Sequence, residues 1–115
     1  MHPRAVPFLK KIEKKYNCKK VVCVGDLVDW SSISFHEKDP SMPSASEEFK
    51  QAWKQVRQVH KAFPMVEFLI GNHDSLPARK AKLIGLPQEA IFDFKDLWKL
   101  TGWNVHPRYA KIYID

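Results

Sequence analysis

Val21-Val22-Cys23-Val24-Gly25-Asp26-Leu27-Val28-Asp29 and Val66-Glu67-Phe68-Leu69-Ile70-Gly71-Asn72-His73-Asp74 are the two stretches that decide the fold. Each opens on a short apolar run and ends abruptly in a glycine followed by polar residues. The first run, 20–24, is largely β-branched and continuous, as a strand buried on both faces would be. The second, 66–70, is a similar short strand. Between them Ser44 and Glu47 form a capping box, whose side chains satisfy the first free N–H groups of a helix. The spacing predicts that helix over 46–63, with Phe49, Ala52, Trp53, Val56, Val59 and Phe63 on its inner face and Pro64 closing it.

Working outward, residues 4–17 read as a helix with Pro7 near its first turn and Leu9, Ile12 and Tyr16 on one face. Lys10, Lys11, Lys14 and Lys15 fall on the opposite face. Residues 31–45, with Asp39-Pro40 and Met42-Pro43, read as a long ordered loop. A helix is expected over 76–84 with Gly85 just beyond it, and a shorter one over 93–101, stopped by Gly102. Residues 109–114 alternate in a way that predicts a half-exposed strand. Helix, strand, helix, strand, helix is the order of an α/β domain whose neighbouring parallel strands are joined by crossovers. In such sheets ligands bind beyond the carboxyl ends of the strands, where both polar tetrads lie.

The composition sets outer bounds. A chain of 115 residues is one domain at most, and 44% hydrophobic with 12% aromatic residues suffices for a packed core. No apolar run approaches the roughly 20 residues of a membrane-spanning helix. Met1-His2-Pro3-Arg4 leads into charge rather than a signal segment, so a cytoplasmic protein is expected. The two cysteines make neither a disulfide framework nor a zinc knuckle; Cys23 reads as a buried core thiol and Cys18 as a turn residue. A net charge of +6 favours anionic partners such as nucleotides or nucleic acid, though solvated lysine faces account for much of it.

Gly25-Asp26 alone could be a turn, the glycine supplying unusual dihedrals and the aspartate capping nearby N–H groups. Gly71-Asn72-His73-Asp74 offers more than a turn requires: an amide oxygen, an imidazole and a carboxylate at one strand end. In this order the two tetrads resemble the signature blocks Gly-Asp-x-x-Asp and Gly-Asn-His-Asp/Glu of the calcineurin-like metallophosphoesterase superfamily, and His2-Pro3 resembles a pair found in phage-encoded relatives. That resemblance implies part of an αββα sandwich with mainly parallel strands. It also implies two divalent metal ions, manganese favoured, with iron, zinc, nickel or magnesium as alternatives.

The same resemblance assigns roles. Asp26 would bridge the metals and Asn72 would be a terminal oxygen ligand. His73 would serve the leaving group and Asp74 would hold its tautomer. Asp29 would stand behind the ligands, while Gly25 and Gly71 let the backbone turn close to the metals. The activity implied is metal-dependent hydrolysis of phosphomonoesters or phosphodiesters. Arg79, Lys80 and His36 are candidates for substrate contact, whereas His60 and His106 read as structural, the latter in a turn before Pro107. The family's Asp-x-His block and its later Gly-His and Gly-His-x-His blocks have no match in these residues. The expectation is therefore a partial domain in which Val21–Val24 and Val66–Ile70 lack a sheet neighbour. The alternative is an inactive module that keeps the fold as a binding surface. Oligomeric state and substrate are left open by the sequence.

Overall fold

The structure is a computed structural model and describes residues 1–37 and 39–114. Three short strands form one parallel sheet in the order β1-β2-β3: β1 Val22–Cys23, β2 Glu67–Leu69 and β3 Asn104–His106. Val22 pairs with Glu67 and Cys23 with Phe68; on the other side Glu67, Phe68 and Leu69 pair with Asn104, Val105 and His106. The helices are α1 Ala5–Lys15, α2 Ala45–Ala62, α3 Leu76–Leu83 and α4 Phe94–Leu97, with 3-10 turns at Ser31–Ile33 and Gln88–Ala90. This is the parallel α/β architecture expected from the alternating pattern.

Helix α2 begins where its capping box places it. Ser44 Oγ accepts from Glu47 N at 3.2 Å, and Glu47 Oε2 accepts from Ser44 N at 3.3 Å. Its inner face meets an aromatic core. Trp98, Phe68, Leu100, Val56 and Trp103 are fully buried; Phe49 stacks on Trp30, Trp53 and Trp98, Trp53 stacks on Trp98, and Trp30 meets Trp98 tilted, with centroids 5.0–6.3 Å apart. Such ring contacts add directional preference to the area they bury. Two polar groups at the core's margin find partners, Trp103 Nε1 donating to Phe63 O at 2.7 Å and the Arg57 guanidinium donating to the Trp98 and Lys99 carbonyls, while Trp30 Nε1 and Trp98 Nε1 are buried without one. His60 bonds the Thr101 carbonyl at 2.7 Å, which is the structural role read from its place on the helix flank.

Five expectations are corrected. The residues at 109–114 form no strand: Ala110 and Ile112 are half-buried beneath the exposed Tyr109 and Tyr113, but no strand pairs with the segment among the described residues. The third strand is Asn104–His106 instead, and His106, read as a turn residue, stands in it with Nε2 2.6 Å from Glu67 Oε2. The second strand therefore has neighbours on both sides. The first strand is not buried on both faces. It is the sheet edge, where Val21, Val22 and Cys23 are half-buried and Val24 is 80% exposed. Finally, α1 packs against α2 without burying any residue, and Leu9 and Tyr16 are exposed rather than inward.

A contact that the sequence does not announce joins α2 to the segment after the first tetrad. Glu48 accepts from Ser31 N at 2.7 Å, Ser31 Oγ at 3.0 Å and Ser32 N at 2.9 Å. Burial acts to raise the Glu48 pKa, but the bonds from Ser32 and Ser31 outweigh it and hold the carboxyl below its ordinary value of 4.5. A depressed folded-state pKa contributes stability that is present above the unfolded value and is lost as pH falls through the folded one. The urea midpoint is therefore expected to fall as pH drops below about 4.5. Glu48→Gln is expected to remove that part of the acid slope. An identical slope in the variant and the parent would show that the tether contributes nothing.

Candidate active site

The two tetrads leave adjacent parallel strands at the same sheet edge, and their backbones touch. Gly25 has φ +102°, a region that disfavours side chains, and a Cβ there would stand 2.5 Å from Gly71 Cα and 2.8 Å from Leu69 O. A Cβ on Gly71 would stand 2.4 Å from both Asp26 N and Asp26 Oδ1. Both glycines are thus required by space. Asp26 itself takes φ 55°, and Trp30 φ 52°, left-handed conformations that non-glycine residues adopt at some cost.

Asp74 holds the loops together. Its Oδ2 accepts from Asp26 N at 2.7 Å and Gly71 N at 2.8 Å, and its Oδ1 accepts from Val28 N at 3.2 Å. One buried carboxylate therefore serves three backbone donors, two of them on the neighbouring loop. Burial pushes its pKa up, against the lowering effect of those bonds.

This corrects the role expected of Asp74, which was to fix the imidazole of His73. That ring is positioned by Asp29, through its backbone carbonyl, which lies 2.8 Å from His73 Nδ1. A carbonyl can only accept, so Nδ1 carries the hydrogen and Nε2 is the nitrogen left for chemistry. The His73 backbone N–H donates in turn to Asp26 Oδ1 at 2.9 Å. Asp26, Asp29, Asn72, His73 and Asp74 are thus brought to one edge, as the sequence places them.

Arg79 lies closer to the loop than expected. Its guanidinium donates to the Asn72 carbonyl at 3.1 Å and to Asn72 Oδ1 at 3.0 Å, and it sits 5.4 Å from the centroid of Phe35. Lys80 Nζ stands 4.0 Å from the same centroid. Phe35, which no sequence motif marks, is the platform for both cations. Its neighbour His36 is exposed, and no hydrogen bond ties it to either tetrad among the described residues.

The donors do not by themselves fit a two-metal centre. Among the described residues no group of three or more His, Cys, Asp and Glu side chains converges as a metal site would require. Asp26 spends one oxygen on His73 N, and the amide oxygen of Asn72 already faces a guanidinium cation.

The chain belongs to the calcineurin-like phosphoesterase family, whose model matches residues 2–114. Members of this family in general hydrolyse phosphoester bonds and bind divalent metal ions. None of the curated proteins and none of the solved structures matches the chain. No helix among the described residues is long and apolar enough to cross a membrane.

Proposed function

We propose that this domain carries the acid-handling half of a metal-dependent phosphoesterase site, acting on phosphomonoesters or phosphodiesters of nucleotides or nucleic acid. The observation that carries the reading is the His73 ring, held at Nδ1 by the Asp29 carbonyl while its backbone N–H bonds Asp26 Oδ1, with no hydrogen bond engaging Nε2 among the described residues. Protonated at Nε2, the imidazolium gives its proton to the leaving-group oxygen and returns to the neutral Nδ1–H form that Asp29 already holds. Arg79 and Lys80 supply positive charge next to the loop for the phosphate oxygens. Divalent ions, manganese favoured, would take Asp26 and Asn72 as donors.

The test is hydrolysis of bis-p-nitrophenyl phosphate with manganese, using the protein as its gene encodes it. Turnover abolished by chelation supports the reading. No metal binding by calorimetry and no turnover would favour the second reading, an inactive binding module. That reading draws on the Arg79 cation already seated on Asn72 Oδ1.

His73→Ala should lower turnover by ~100-fold or more on unactivated alkyl esters, within the range of general acid catalysis, and by under ~10-fold on p-nitrophenyl esters. A leaving group that departs readily needs little help from an acid. Equal losses on both ester types would assign His73 a purely structural role.

A further inference from the structure

Along the flank of α2, where it meets the end of α4, lies an open cavity of ≈ 520 Å³ lined by Phe49, Lys50, Trp53, Lys54, Leu97 and Lys99. Its floor is aromatic: Phe49 and Trp53 are half-buried and stack at 6.2 Å and 26°, and both stack on the buried Trp98 behind them. Its rim is cationic. Lys50, Lys54 and Lys99 are exposed, no ion pair engages any of them among the described residues, and no carboxylate lines the cavity. The Arg57 guanidinium, outside the lining, lies 4.7 Å from the Trp53 ring centroid and is pinned by the Trp98 and Lys99 carbonyls, so it helps to hold that ring.

The sequence explains why these features coincide. Lys50 and Lys54 are one turn apart on α2, with Phe49 and Trp53 beside them at the same spacing. The helix thus presents alternating rows of rings and ammonium groups along one side. An ordinary solvated lysine face would lie over nothing; this one borders a concave apolar floor.

We infer that this groove binds single-stranded nucleic acid, a base lying against the Phe49–Trp53 floor and its flanking phosphates meeting Lys50, Lys54 and Lys99. Flat rings on a charged track suit single strands, whose bases are free to stack on side chains and whose backbone answers the lysines. A duplex keeps its bases stacked inside and offers the floor nothing. The inference goes beyond the hydrolytic reading and needs no metal, so it is measured in chelator. Its failure is thereby separated from a failure of catalysis.

The experiment is fluorescence anisotropy of labelled oligothymidylate with EDTA present, at low salt. Lys50→Gln, Lys54→Gln and Lys99→Asn are combined; asparagine suits Lys99, whose φ is 48°. A matched control removes three charges from α1: Lys11→Gln, Lys14→Gln and Lys15→Gln. The groove triple is expected to weaken binding by ~10-fold or more and to flatten the salt dependence by about 2 in log–log slope, at ~0.7 for each phosphate that is no longer neutralised. The control is expected to change affinity by less than ~3-fold at the same salt. Because Trp53 also packs on Trp98, the lysine variants decide the matter; Trp53→Leu is a second arm, expected to weaken binding by ~10-fold in a variant whose melting curve stays cooperative. Absence of binding, equal losses in the two lysine triples, or equal competition by duplex DNA or by poly-glutamate would each overturn the assignment.

Discussion

Asp74→Ala is expected to destabilise the domain more than any other single change at the strand ends. The side chain is buried, 4% exposed, and it is the acceptor for Asp26 N, Gly71 N and Val28 N. Alanine leaves those donors facing a hole the size of a carboxylate. Each stranded buried donor costs about 1–3 kcal/mol, offset where water can enter. The sum is a large fraction of a typical stability of about 5–15 kcal/mol. The variant should therefore lose several kcal/mol in urea titration or fail to fold at room temperature. Asp74→Asn should fall between the two, since one amide oxygen still accepts while its NH₂ group meets a backbone donor. If Asp74→Ala remained within ~1 kcal/mol of the parent, below the cost of one stranded donor, the carboxylate would not be the link between the loops.

The distinction between what Asp74 does and what was expected of it shows where sequence reading stops. The tetrads were legible because their chemistry is local: an amide, an imidazole and a carboxylate in consecutive positions after an apolar run mark a strand-end site. Helix α2 was legible for the same reason, since Ser44 and Glu47 satisfy each other three residues apart. The partners of Asp74 were not, because two of its three donors lie 46 and 48 residues away and are backbone groups, which no residue type announces. Neither was the third strand. Asn104–His106 is too short for a period of two to register, and only its pairing with Glu67–Leu69 makes it a strand. The alternation at 109–114 was a stronger pattern and a false one as a strand, because the half-buried Ala110 and Ile112 lie in a segment that pairs with no strand. Exposure of Val24 follows likewise from sheet order, which places the first strand at the edge. Arg79 shows the reverse case. Its charge beside the second tetrad was visible, but its hold on Asn72 depends on how α3 leaves the loop.

Gly71→Ala is expected to separate the two loops even though it adds a single methyl group. The φ of Gly71 is not in the left-handed region, so the argument is one of space alone. The new Cβ would lie 2.4 Å from Asp26 N, 2.4 Å from Asp26 Oδ1 and 3.0 Å from Asp26 Cγ. The first of these is backbone, held at 2.7 Å by Asp74, and the second is the acceptor of the His73 N–H. Neither can retreat without breaking a bond that orders the site. Overpacking of this kind costs about 1–3 kcal/mol, and each broken hydrogen bond about 1 more. Gly85→Ala is the matched comparison. Gly85 has φ +77° with nothing within 4 Å of a Cβ, so alanine there meets only the left-handed penalty of about 1–2 kcal/mol. Gly71→Ala should therefore be the more damaging of the two in urea titration, and it should shift the His73 and Asp26 amide resonances while Gly85→Ala leaves them in place. A Gly71→Ala variant as stable as Gly85→Ala, with those resonances unmoved, would mean that the loops stand further apart in solution than this packing allows.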